Sequence, residues 1–176
     1  MSPDKKTIVA WDSENCKLGL WDSFTGKFLK KLSPDIIARL QNPTDFSDFY
    51  ICYLQWSPNS KNIFLFPGIG KSCLWNMSTG EIEILPWYGN TFGISTIALF
   101  DSCIRFSVDS KFLLVEINDC KGVELWNVEQ KKHQVLIKKG DHIEYIGFSP
   151  KGDYIFINTS SFSLFDFFIW RRVEEK

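Results

Sequence analysis

Gly68-Ile69-Gly70-Lys71-Ser72 is the stretch whose residue types come closest to chemistry, because Gly-Lys-Ser closes the phosphate-cradling loop of nucleotide-binding proteins. That loop also needs Gly five residues before Gly70 and a helix after it. Position 65 is Leu and Cys73-Leu74-Trp75 reads as a strand, so the stretch reads as a turn between strands. Ser107 and Ser149 could act as nucleophiles in a Gly-x-Ser-x-Gly elbow, but neither has one. His142 follows Asp141 at the start of a predicted strand, a position that suits packing or the surface. Asp45 and Asp48 flank Phe46 without a third ligand, and Asp101, Asp119 and Asp153 fall in turns, where Asp bonds its own backbone. The cysteines, Cys16, Cys52, Cys73, Cys103 and Cys120, form no Cys-x-x-Cys pair, and neither His133 nor His142 lies near one in sequence. No nucleophile, base and orienter assemble. The expectation is a non-enzyme with no catalytic residue, no metal and no cofactor.

Composition points the same way. The chain has 176 residues, 44% of them hydrophobic, enough to bury a substantial core. Aromatic residues make up 16%, and these favour strands. A net charge of -1 gives no global field toward nucleic acid or an anionic membrane, and the lysine pairs are scattered between strands. No apolar run approaches the roughly 18 residues of a membrane span. An odd number of cysteines without a signal peptide suggests reduced thiols, hence the cytoplasm or the nucleus.

What must position these residues is a repeat. Small polar turns at Ser2-Pro3-Asp4, Ser57-Pro58-Asn59, Ser107-Val108-Asp109 and Ser149-Pro150-Lys151 are each followed by an apolar run. About twenty positions after each turn comes a tryptophan: Trp21, Trp75, Trp126 and Trp170. Four copies result, at about 1–49, 50–100, 101–140 and 141–176, within one domain spanning 1–176. In the second copy, 50–56 is a strand, 63–66 a strand covered on both faces, 72–75 a third strand, and 81–85 an alternating outer strand. Pro67-Gly68-Ile69-Gly70 breaks the chain between the second and third of these. The third copy repeats this with 104–106, 112–115, 123–126 and 133–137. The fourth has 143–148, 154–157 and 164–170, and the first has 8–11, 17–21 and 27–32. Each copy is therefore an antiparallel meander of up to four strands, with the first and last incomplete.

This pattern resembles the WD40 repeat, the four-stranded blade of a β-propeller, over nearly the whole chain. The matching parts are the aromatic-Ser-Pro-polar turn and the segments Leu20-Trp21-Asp22-Ser23-Phe24-Thr25-Gly26-Lys27 and Leu74-Trp75-Asn76-Met77-Ser78-Thr79-Gly80-Glu81. Leu125-Trp126-Asn127 and Ile169-Trp170-Arg171 are weaker versions. No Gly-His pair precedes any copy and only Trp21 is followed by Asp, so the family's buried His-Ser-Trp-Asp network does not carry over. The resemblance implies an all-β, propeller-type stack of about four WD40-like blades acting as a non-catalytic protein-interaction scaffold. The alternative is a resemblance to propellers of TolB-like proteins and prolyl oligopeptidase-type hydrolases, in which the propeller gates or docks substrate.

Three explanations account for four copies where WD40-like rings usually have seven or eight blades: a fragment of a longer propeller, a ring completed by self-association or by a partner through open blade edges, or a short stack standing alone. Two insertions lie between copies. In the first, Ser33 caps a short helix with Ile36, Ile37 and Leu40 on one face. The second holds Trp87, Tyr88, Asn90 and Phe92 among glycines, a candidate protein-binding surface or a plug that folds back on the sheets. That segment carries no Lys or Arg, which argues against nucleic acid. The expected partners are other proteins, with no nucleic acid and no membrane.

Overall fold

The structure is a computed structural model that describes residues 1–12, 17–32, 34–40, 51–67, 69–90, 104–117, 122–137, 142–161 and 164–171. It is all-β, built of antiparallel sheets of three or four strands. The chain falls into two compact units, Met1–Ile97 and Ala98–Lys176. In the first, β1 (Thr7–Asp12), β2 (Lys17–Asp22) and β3 (Phe28–Lys31) form sheet 1 in that order. Helix α1 (Pro34–Leu40) follows, and β4 (Ile51–Trp56), β5 (Asn62–Pro67), β6 (Ile69–Asn76) and β7 (Ile82–Asn90) form sheet 2. In the second unit, β8 (Ile104–Phe106), β9 (Phe112–Ile117), β10 (Gly122–Asn127) and β11 (Lys132–Ile137) form sheet 3. Sheet 4 has three strands, β12 (His142–Phe148), β13 (Tyr154–Ser161) and β14 (Leu164–Arg171).

The serine turn is one device built four times. Ser2, Ser57, Ser107 and Ser149 each donate their backbone N–H to the carbonyl five residues on, at 2.8 to 2.9 Å. Each hydroxyl accepts the N–H of that same residue: Thr7 at 2.9 Å, Asn62 at 2.9 Å, Phe112 at 2.9 Å and Tyr154 at 3.0 Å. The hydroxyl proton then goes to a side-chain oxygen of Asp4, Asn59, Asp109 or Asp153. In the fourth copy Lys151 stands where the others have Asp or Asn, and Asp153 does the work from two residues further on. The turn closes through a residue with left-handed backbone, Lys5, Ser60, Ser110 or Gly152. All four serines are buried, so each hydroxyl finds its partners within the turn rather than in water.

A second turn follows the tryptophan in three copies. Asp22, Asn76 and Asn127 each accept two backbone N–H groups on one side-chain oxygen, at 2.7 to 3.1 Å. Their carbonyls accept the N–H of Gly26, Gly80 and Lys131, all at positive φ. Asn therefore performs the same turn task as Asp after the tryptophan. The fourth copy has Arg171 there, which has no acceptor to offer.

Pairing register places the tryptophans on one common face of their sheets. Trp21 lies opposite Ile8, Trp75 opposite Ile63, Trp126 opposite Leu113 and Trp170 opposite Ile155. Within the first unit, Ile63, Leu65, Cys73 and Trp75 of sheet 2 pack against Leu18, Leu20, Val9 and Trp11 of sheet 1. Ile37 and Leu40 of α1 join that core, with Ile36 partly buried beside them, as the spacing predicts; Ser33 lies outside the described residues. Within the second unit, Ile155, Ile157 and Trp170 of sheet 4 pack against Phe112, Leu114, Val123 and Leu125 of sheet 3. Both units thus use the same contact: the tryptophan face of one sheet against the opposite face of the sheet before it.

Two expectations about the second copy are corrected. The segment expected to break the chain is largely strand: β5 runs through Pro67 and β6 begins at Ile69, so Gly70, Lys71 and Ser72 are strand residues, although β5 and β6 pair with each other only as far as Leu65 and Cys73. The outer strand does not stop at Leu85 but continues to Asn90, placing Trp87, Tyr88 and Asn90 in β7 rather than in an irregular insertion. The buried Ser72 hydroxyl donates to the Trp87 carbonyl at 2.9 Å, beside a register shift between Lys71 and Cys73, and this helps hold β7 against β6 past the bulge.

Candidate binding groove beside Trp170

The residues that first suggest chemistry do not form a reactive group. Cys73, buried in the first core, has its thiol pushed up to about 12 by desolvation, which keeps it protonated and unreactive at neutral pH. Asp153 is hydrogen-bonded to the Ser149 hydroxyl, and this bond holds its carboxyl below the ordinary value. Asp45, Asp48, Asp101, Asp119, Asp141, Cys16, Cys103 and Cys120, together with the side chains of Cys52 and His142, lie outside the described residues. Among the described residues no three His, Cys, Asp or Glu side chains are placed to hold a metal, and no helix is long and apolar enough to cross a membrane.

Of the candidate binding residues, Trp87 is buried and its ring stands edge-on to Phe64 at 6.4 Å. That is a packing role within sheet 2. Tyr88 and Asn90 pair by backbone with Lys71 and Ile69, their side chains lying outside the described set, as does all of Phe92. Of the repeat tryptophans, Trp75 and Trp126 are buried, while Trp21 and Trp170 are half-buried.

The half-burial of Trp170 has a local cause. In sheet 2 the strand beyond the tryptophan strand, β7, sets Ile82 opposite Trp75 and Ile84 opposite Cys73. Both isoleucines are partly buried against the inter-sheet core. In sheet 4 β14 is the edge, and among the described residues no strand lies beyond it. A cavity of about 600 Å³ opens beside Trp170, between sheets 3 and 4. Its floor is apolar, from Phe112, Leu125, Leu136, Ile155 and Trp170. Its rim carries Lys111, Lys132 and Arg171 against the single acid Glu129.

The arrangement has the two parts a strand-binding site needs. An edge strand offers unpaired main-chain groups, and an apolar pocket next to it takes every second side chain of an added strand. The basic excess on the rim favours an acidic segment. Sequence reasoning assigned no groove to these residues; the available signal was the charge of the residues after Trp170, unlike the alternating Glu81-Ile82-Glu83-Ile84 after Trp75. Comparison with known proteins finds no matching protein family and no matching curated protein.

Proposed function

We propose that this chain is a non-catalytic protein-interaction module, a scaffold of four WD40-like, propeller-type blades, that binds an extended acidic-apolar segment of a partner protein along β14. The observation that carries this reading is the groove beside Trp170, which lies where sheet 2 keeps its own outer strand. The bound segment adds as a strand to β14, its alternate apolar side chains facing Trp170 and Leu136. The Asn76 N–H donates to the Glu81 carbonyl at 2.8 Å in sheet 2, so the residue in the place of Glu81 comes beside Arg171, the counterpart of Asn76.

A peptide copying residues 80–86, Gly-Glu-Ile-Glu-Ile-Leu-Pro, is the probe. Titration calorimetry should show 1:1 binding that is lost when both isoleucines are replaced by Ser. Arg171→Glu should weaken binding by about tenfold, worth about 1.4 kcal/mol. Absence of binding, or binding indifferent to both changes, would sink the proposal.

A further inference from the structure

Among the described residues, a face of sheet 4 and a face of sheet 1 carry exposed apolar side chains, and they are of opposite kinds. Within each unit, the residue before the tryptophan of the earlier sheet lies on the face that packs against the later one: Leu20 is 5% exposed and Leu125 7%, but Ile169 of sheet 4 is 62% exposed. The residue opposite the tryptophan lies on the other face: Ile63 in the first unit is 0% exposed and Ile155 in the second 1%, but Ile8 is 39% exposed. Ile169 is one of a set. Phe156 pairs with it, Phe167 lies two residues before it, and Tyr145 and Tyr154 share the same register, all of them exposed. Around Ile8 stand Trp21, half-buried, and Phe28, exposed and edge-on to Trp21 at 5.6 Å. A Cβ at Gly19 would run into the Trp21 ring, so the indole lies flat over this face.

From these faces we infer that the chain associates head to tail with a second copy of itself, the open face of sheet 4 in one copy packing on the Trp21 face of sheet 1 in the other. The occupant is specified by the chain's own construction. Each unit already contains one example of this contact, Leu18 and Leu20 against Ile63 and Trp75 in the first, Leu114 and Leu125 against Ile155 and Trp170 in the second. A sheet-4 face meeting another sheet-4 face would join two surfaces of the same kind, which neither unit does. The contact is therefore heterologous, and each copy keeps one free face of each kind to pass on.

Light scattering after size exclusion tests this with paired variants at exposed positions. The unaltered chain should give whole-number multiples of 20.4 kDa that grow with concentration. Phe167→Glu with Ile169→Glu, and separately Ile8→Glu with Phe28→Glu, should each give a folded single chain by circular dichroism. Mixed, the two variants should form a 1:1 pair, because one intact face of each kind remains. Milder Phe167→Ser and Ile8→Ser variants should follow the same order if either charged variant fails to fold. A single-chain mass for the unaltered protein at every concentration would overturn the inference, as would variants that still self-associate or a mixture that does not pair.

Discussion

The ammonium of Lys30 in β3 stands over the ring of Trp75 in β6, 5.9 Å from its centroid, so that an outer strand of sheet 1 covers the tryptophan of sheet 2. A cation held over an indole adds about 0.5–2 kcal/mol to a contact that is otherwise apolar. The lysine stem lies along the sheet and its charge reaches the seam, near enough that a side chain at Gly80 would meet its tip. Lys30 thus joins, from the outer strand of sheet 1, a contact between sheets 1 and 2 that is otherwise made by aliphatic and aromatic side chains.

Burial ranks the tryptophans. Trp75→Ala should cost about 3–5 kcal/mol, and Trp126→Ala about the same, since both indoles are buried. Trp21→Ala, on an open face, should cost less than half as much in dilute solution. Urea unfolding of the three variants checks the order; equal losses would remove the distinction between closed and open faces.

The serine turn gives a separate expectation. Ser57→Ala removes the acceptor of the partly buried Asn62 N–H, and should destabilise by about 1–2 kcal/mol. Ser57→Thr, which keeps the hydroxyl, should recover part of that loss. A neutral Ser57→Ala would mean that the hydroxyl is not what holds the turn.

Lys131 occupies a left-handed position, φ 56°, where the equivalent turns have Gly26 at 68° and Gly80 at 79°. Lys131→Gly should therefore stabilise, by up to about 1 kcal/mol after the entropy of the freer unfolded chain is subtracted. Gly26→Ala should destabilise by about 1 kcal/mol on backbone conformation alone, as nothing stands within 4 Å of a Cβ there. Chemical denaturation of both variants measures the pair of opposite signs.

Acid should act through the turns that use aspartate. The backbone N–H and then the hydroxyl of Thr25 hold the Asp22 carboxyl below its ordinary 3.8, and the Ser2 hydroxyl followed by the Lys6 N–H does so for Asp4. A lowered carboxyl means that the folded state binds fewer protons than the unfolded one. Its stabilising effect is present above 3.8 and is lost as pH falls through the folded value. Asn76 makes the same two backbone bonds without titrating. Asp22→Asn should leave stability at pH 7 nearly unchanged and flatten the loss below pH about 4; thermal melts across that range decide it.

Much of the fold was legible because the repeat couples two independent signals. The serine turns marked where strands reverse, and the tryptophans marked the second strand after each turn, so strands such as 154–157 and 164–170 were placed before any pairing was known. The outer part of β7 was not legible. The glycines around Trp87 read as loop residues, and only the Ser72 hydroxyl on the Trp87 carbonyl and the Phe64 ring edge-on to its indole show why that segment stays in the sheet. The groove was hidden for a different reason. It is lined from two sheets whose juxtaposition no local pattern encodes, and its residues, such as Leu136 and Arg171, are ordinary where they stand in sequence.

Amide hydrogen exchange with and without the 80–86 peptide addresses the binding site most directly. Strand addition predicts new protection confined to residues 164–171, with the neighbouring 132–137 segment changing little in its backbone and sheet 2 not at all. Protection that appears elsewhere while β14 exchanges as before would contradict the assignment of β14 as the binding edge.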